Sequence, residues 1–189
     1  MDKSTARDDL AVVDRILRTA DRTLHIPPLV LISWGMVAVI VNGVHQARVF
    51  GFSVPPDQLF HLPLIACAIG MTWWASHRHD APRETLVDGF AGTTFAVTFA
   101  VLFILNVTAQ HTVIPTDAMA LVWATGFSIA LLVVGLHSSR LLLCGGIAML
   151  SACALAPFAS TWFDGALAVG WFAGFVVPGI VLWRRRVDG

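Results

Sequence analysis

Three histidines at the ends of apolar stretches are the side chains in this sequence best suited to chemistry. His45 closes the first long apolar stretch, His61 opens the second and His111 follows the third. Imidazole binds zinc, copper and other divalent ions, and it titrates near neutrality. Three imidazoles at the outer ends of three apolar stretches, His45 and His61 at similar depth, therefore suit either a metal centre or a proton-sensitive site. The spacing supplies no ligand motif, because the sequence has neither a His-x-x-x-His nor a Cys-x-x-Cys pair. Haem ligation would require histidines deeper in facing helices.

Polar residues accompany these histidines. Asn42, His45 and Gln46 form an i, i+3, i+4 stripe, and Asn106 with Gln110 repeats that spacing on the third apolar stretch. Together they would line a shallow polar pocket. Asp88 is the acid closest to hydrocarbon. It is either a functional intramembrane acid or the partner of Arg78, Arg83 or Arg140 at the boundary. The candidate ligand or proton pocket is thus Asn42, His45, Gln46, Asn106 and Asp88. The candidate metal set, with a divalent ion as cofactor, is His45, His61 and His111. No catalytic residue emerges: Gly126-Phe127-Ser128 lacks the second glycine of a nucleophile elbow, and no phosphate loop or zinc-protease helix is present.

The elements that must hold these residues follow from composition. Of 189 residues, 57% are hydrophobic and 13% charged, and the mean hydropathy is +0.76. Soluble domains carry about 25% charged residues, so too little charge is present to coat a water-facing surface. Twelve basic and twelve acidic side chains cancel, which removes any electrostatic case for direct nucleic-acid binding. The expected fold is all-α: a polytopic membrane bundle of six transmembrane helices preceded by an amphipathic helix. The spans are read as Pro28–Phe50, Gln58–Ser76, Thr85–Gln110, Thr116–His137, Leu141–Phe158 and Trp162–Trp183. Each approaches the roughly 20 apolar residues that a bilayer requires. Residues 27–189 form the six-helix domain, and 1–26 the cytoplasmic helix.

Six crossings place Lys3, Arg7, Arg15, Arg18, Arg22, Arg78, Arg83, Arg140, Arg184, Arg185 and Arg186 on one side and Arg48 alone on the other. The positive-inside rule then sets both termini in the cytoplasm. No cleavable leader is read, since the first apolar run follows a charged segment and is long enough to stay in the bilayer. Leu10, Val13, Leu17, Ala20 and Leu24 fall on one stripe of a helix over residues 8–24. Such a helix lies along the inner leaflet, or it docks a soluble cytoplasmic protein. Rows of small residues, including Ala166, Gly170 and Gly174, suit packing within the bundle, with a homo-oligomer seam on the Gly170–Gly174 face as the alternative. Cys67, Cys144 and Cys153 are expected as small buried hydrophobes, and Pro178 is expected to kink the last span.

The run Val13-Asp14-Arg15-Ile16-Leu17-Arg18-Thr19-Ala20, leading to Pro28-Leu29-Val30-Leu31-Ile32-Ser33-Trp34-Gly35, resembles a group of small six-span bacterial membrane proteins. The turn Gly135-Leu136-His137-Ser138-Ser139-Arg140 before Gly145-Gly146 resembles them too, as does Gly170-Trp171-Phe172-Ala173-Gly174 near the basic end. Some members of that group are encoded beside winged-helix regulators. The resemblance implies a bacterial inner-membrane protein working with a soluble cytoplasmic partner, and it transfers no site residues. The expected role is a non-enzymatic sensory or regulatory subunit. The alternatives are a small transporter or channel and an outer-face metal-binding or redox protein.

Overall fold

The computed structural model describes residues 27–78, 86–110 and 116–187, with side chains at all of these except 58, 76–78, 86–88, 110, 116, 117, 186 and 187. The expected helix over 8–24 and His111 lie outside the described residues. Every described element is helical: α1 (Pro28–Val49), α2 (Asp57–Arg78), α3 (Leu86–Gln110), α4 (Thr116–Ser138), α5 (Arg140–Leu155), α6 (Phe163–Trp171) and α7 (Val177–Val187). A π-helical turn, Phe172–Val176, joins α6 to α7 into one rod. Five helices, counting that rod as one, are long and apolar enough to cross a membrane, and α2 contributes the shorter apolar stretch Leu59–Ala75.

Local chemistry sets the ends. Pro28 opens α1, where its missing N–H costs no hydrogen bond. At the far end Gly51 adopts φ +83°, donating to the Arg48 carbonyl (3.0 Å) while Phe52 donates to that of Ala47 (3.1 Å). These two bonds are a Schellman cap, and only glycine takes that backbone conformation without strain. Between α4 and α5 the chain reverses through Ser139 alone, whose N–H bonds the Gly135 carbonyl (3.1 Å). A Cβ on Gly135 would lie 2.6 Å from the Leu143 Cα, so the sharp reversal depends on a missing side chain.

The helices curl in the order α2, α1, α6–α7, α5, α4, α3, each packed on its neighbours. Aromatic rings fill the inside of the curl. Trp34 meets Phe99, Phe99 meets Trp123, and Phe127 touches both Trp171 and Phe175, with centroids 5.5–5.9 Å apart. Lipid offers no hydrophobic drive between helices, so close packing does the holding. A Cβ on Gly145 would meet the Gly174 carbonyl at 2.8 Å, and one on Gly170 would meet Ala152 Cβ at 2.8 Å. The Gly170–Gly174 face is therefore occupied by α5 of the same chain, and the seam anticipated there for a second copy is filled.

The expectation for Pro178 takes a local form, and that for the cysteines is corrected. Pro178 cannot donate to the Gly174 carbonyl, and the turn ahead of it widens so that Val177 N–H reaches Phe172. The freed Gly174 carbonyl points at Gly145 instead. Of the cysteines only Cys153 is buried; Cys67 and Cys144 are exposed on the bundle surface. A helix that is apolar all round gives no sequence cue to which face turns inward.

Candidate functional site

One end of the bundle gathers polar groups where α1 finishes and α2 begins. The Gly51 cap turns the chain back sharply, so Asp57 in the first turn of α2 returns to Arg48. The guanidinium donates to the Asp57 carboxylate (2.7 Å) and to the Pro55 carbonyl (3.2 Å), stapling the connection. The Arg48 hydrogen bond holds the Asp57 carboxyl below its ordinary value, with partial burial opposing it.

Behind this staple His45 of α1 and His61 of α2 stack, centroids 5.6 Å apart and planes 26° from parallel. Phe60 stands edge-on to both rings. The Nε2 atoms of both imidazoles are buried and have no hydrogen-bond partner. His45 Nε2 lies 3.8 Å from Asp57 Oδ1, too long for a hydrogen bond and close enough for an ion pair once the ring is charged. Buried polar atoms are nearly always satisfied, so two orphans on adjacent rings set these imidazoles apart from the bonded polar groups around them. An imidazolium at His45 would gain the Asp57 carboxylate. A second charge only one ring away would be repelled.

The polar stripe on α1 separates into different jobs. The Asn42 amide nitrogen donates to the Ala38 carbonyl of its own helix (2.8 Å). Gln46 is buried and reaches the neighbouring rod at the start of α6: its amide nitrogen donates to the Thr161 carbonyl (2.6 Å), and its amide oxygen accepts from Gly165 N–H (2.7 Å). Gly165 is the third residue of α6, whose first-turn N–H groups lack intrahelical acceptors, so Gln46 caps a helix 119 residues away in sequence. It is a strut, and of the three only His45 keeps a buried atom without a partner.

The other candidates are scattered. Asn106 is half-buried on α3, which packs on α4, whereas His45 and Gln46 engage α2 and α6. Asp88 lies in the first turn of α3, and its side chain is outside the described set. Of the three proposed metal ligands His45 and His61 come together. Among the described residues no group of three or more His, Cys, Asp or Glu is arranged to hold a metal ion.

Sequence reasoning missed the Arg48–Asp57 staple, although its cue was present: a lone cation and an acid flanking a tight Gly- and Pro-rich connection. It also missed the hydrogen bond from Trp34 Nε1 to Thr72 Oγ1 (3.0 Å) that ties α1 to α2. Nothing in the sequence signals that pairing. Comparison of the chain with protein-family models, with curated proteins and with solved structures finds no match in any of the three.

Proposed function

We propose that the chain crosses a bacterial inner membrane six times with both termini in the cytoplasm. It serves there as a non-enzymatic sensory or regulatory subunit whose input is a proton taken up by the histidine pair. The pair of stacked imidazoles with buried, unpartnered Nε2 atoms carries this reading. Six crossings are supported by α2, whose 22 residues extend about 33 Å, enough to span the hydrocarbon layer with its shorter apolar centre. Orientation is supported by eleven cationic residues falling on one side against Arg48 on the other.

The pair sits between two helices tied to the rest of the bundle by different means. α2 is held to α1 through Trp34–Thr72, and α1 is held to α6 through Gln46. Charging His45 draws it toward Asp57 and weakens the Arg48 staple. The charged groups facing the pair are Arg48 and Asp57. Such a change shifts the bundle only as far as the two packings differ in proton affinity. Residues 8–24 are the proposed output, docking a soluble cytoplasmic partner.

The test is cross-linked capture of cytoplasmic protein by the full chain in inverted vesicles, with the lumen at about pH 5.5 and about pH 7.5. Capture should depend on luminal pH, lose that dependence in the double variant His45→Gln, His61→Gln, and vanish when residues 1–24 are deleted. Capture independent of pH rejects the proton input. Capture that survives the deletion rejects the output helix.

A further inference from the structure

We propose that the turn joining α5 to α6, residues 156–162, is a lipid anchor seated at the border of acyl chains and headgroups, with Phe158 and Trp162 inserted among the acyl chains. On the orientation proposed above this is the outer leaflet; the seating itself rests neither on that orientation nor on the histidine pair. α5 has 16 residues and rises about 24 Å, and the 3₁₀ turn Ala156–Phe158 continues it by about 6 Å. Starting from Arg140 at the opposite boundary, the chain reaches the far edge of a hydrocarbon layer about 30 Å thick only at Phe158. α6 begins at Phe163, so the connection has no length with which to rise into water.

The side chains of the turn suit that depth. No charged residue occurs between Arg140 and Asp164. Phe158 is 87% exposed and Trp162 59%, and the exposed Phe50 ring packs against Trp162 with centroids 4.8 Å apart, which brings the end of α1 into the same collar. Aromatic rings gather at membrane boundaries in this way. The connection from α1 to α2, at the same end of the bundle, carries instead the charged pair Arg48 and Asp57. The backbone of the turn is closed by bonds within the protein. Ala159 N–H donates to the Ala156 carbonyl (3.0 Å), Trp162 N–H to that of Ala159 (2.8 Å) and Phe163 N–H to that of Ser160, while Gln46 donates to the Thr161 carbonyl (2.6 Å). Irregular backbone persists at membrane depth only where its polar groups find such partners. Reversing the chain this tightly holds Ser160 at φ +40°, a left-handed conformation that its Cβ disfavours.

The experiment is spin-label depth measurement on the full chain in nanodiscs, where both bilayer faces meet an aqueous nickel chelate. Cys67→Ala and Cys144→Ala remove the exposed thiols, and the buried Cys153 is kept. Single labels are placed by Ile147→Cys, Leu155→Cys and Phe158→Cys, exposed positions at successive heights on α5 and its turn, where the bundle does not depend on the side chain. All three labels should collide with oxygen more often than with the chelate, the ratio falling gradually toward position 158. A ratio that inverts between positions 155 and 158 puts the turn in water and overturns the proposal. A label at position 158 shielded from both probes reports a covering protein, such as a second copy of the chain, and overturns it as well.

Discussion

Replacing Gln46 with methionine keeps the length and bulk of the side chain and removes both of its hydrogen bonds. The Thr161 carbonyl loses its donor but sits at an exposed turn where water or a lipid headgroup can take over. The Gly165 N–H is different. It belongs to the first turn of α6, has no intrahelical acceptor, and faces a side chain only 6% exposed. Interhelical hydrogen bonds in membranes average about 0.6 kcal/mol, and an orphaned buried donor adds about 1–3 kcal/mol. The two bonds and one orphan together give a loss of about 2–4 kcal/mol. Reversible unfolding in mixed micelles of increasing sodium dodecyl sulfate fraction measures it. Gln46→Glu sharpens the test, because it keeps the acceptor for Gly165 but sets a carboxylate oxygen 2.6 Å from a carbonyl. Only the protonated acid can donate there, so folding favours protonation. The variant should be destabilised near neutrality and regain stability as pH falls through its raised folded pKa. A Gln46→Met loss below about 0.5 kcal/mol, or a Gln46→Glu stability that does not change with pH, would refute the strut.

Further outcomes follow from the same structure. Gly135→Ala forces a Cβ against the Leu143 backbone, which cannot move aside, and should cost at least about 2–3 kcal/mol in the same unfolding assay. Gly126→Ala meets only the end of the Leu102 side chain and should cost less than about 1.5 kcal/mol. Asp57 and Arg48 are about two-fifths exposed, so Asp57→Asn should cost under about 1 kcal/mol at neutral pH. Because the folded Asp57 pKa is depressed, its small contribution is present above the ordinary carboxylate range. It should be lost as pH falls through the lowered value, and Asp57→Asn should abolish that acid limb of the stability curve. His45→Phe or His61→Phe keeps a ring in the stack and removes an orphaned nitrogen. Each should leave stability unchanged or raise it by about 1 kcal/mol while abolishing pH-dependent capture. A loss above about 2 kcal/mol would show that the imidazoles hold the fold.

That last pair of outcomes bears on how far a membrane sequence can be read. Helix ends were legible because proline, glycine and serine act within a few residues: Pro28 starts α1, Gly51 stops it, and Ser139 separates α4 from α5. Helix facing was not, since an apolar helix carries no contrast between its lipid side and its buried side, and Cys67 and Cys144 accordingly turned outward. The small-residue rows predicted close approach, but only the partner backbone decides where it happens, as Gly174 against Gly145 shows. Most instructive is the stripe Asn42, His45 and Gln46. Spacing of i, i+3, i+4 says that three polar groups share a face, and it says nothing about what faces them. Asn42 turns to its own helix and Gln46 to a turn more than a hundred residues on, and neither keeps a buried atom without a partner. His45 alone meets a second imidazole and keeps an unfilled nitrogen. Satisfaction, and not polarity, separates the strut Gln46 from His45 on that helix. A buried polar atom with its bonds made holds the bundle together, and the buried imidazole nitrogens without them are where we propose that the bundle takes up a proton.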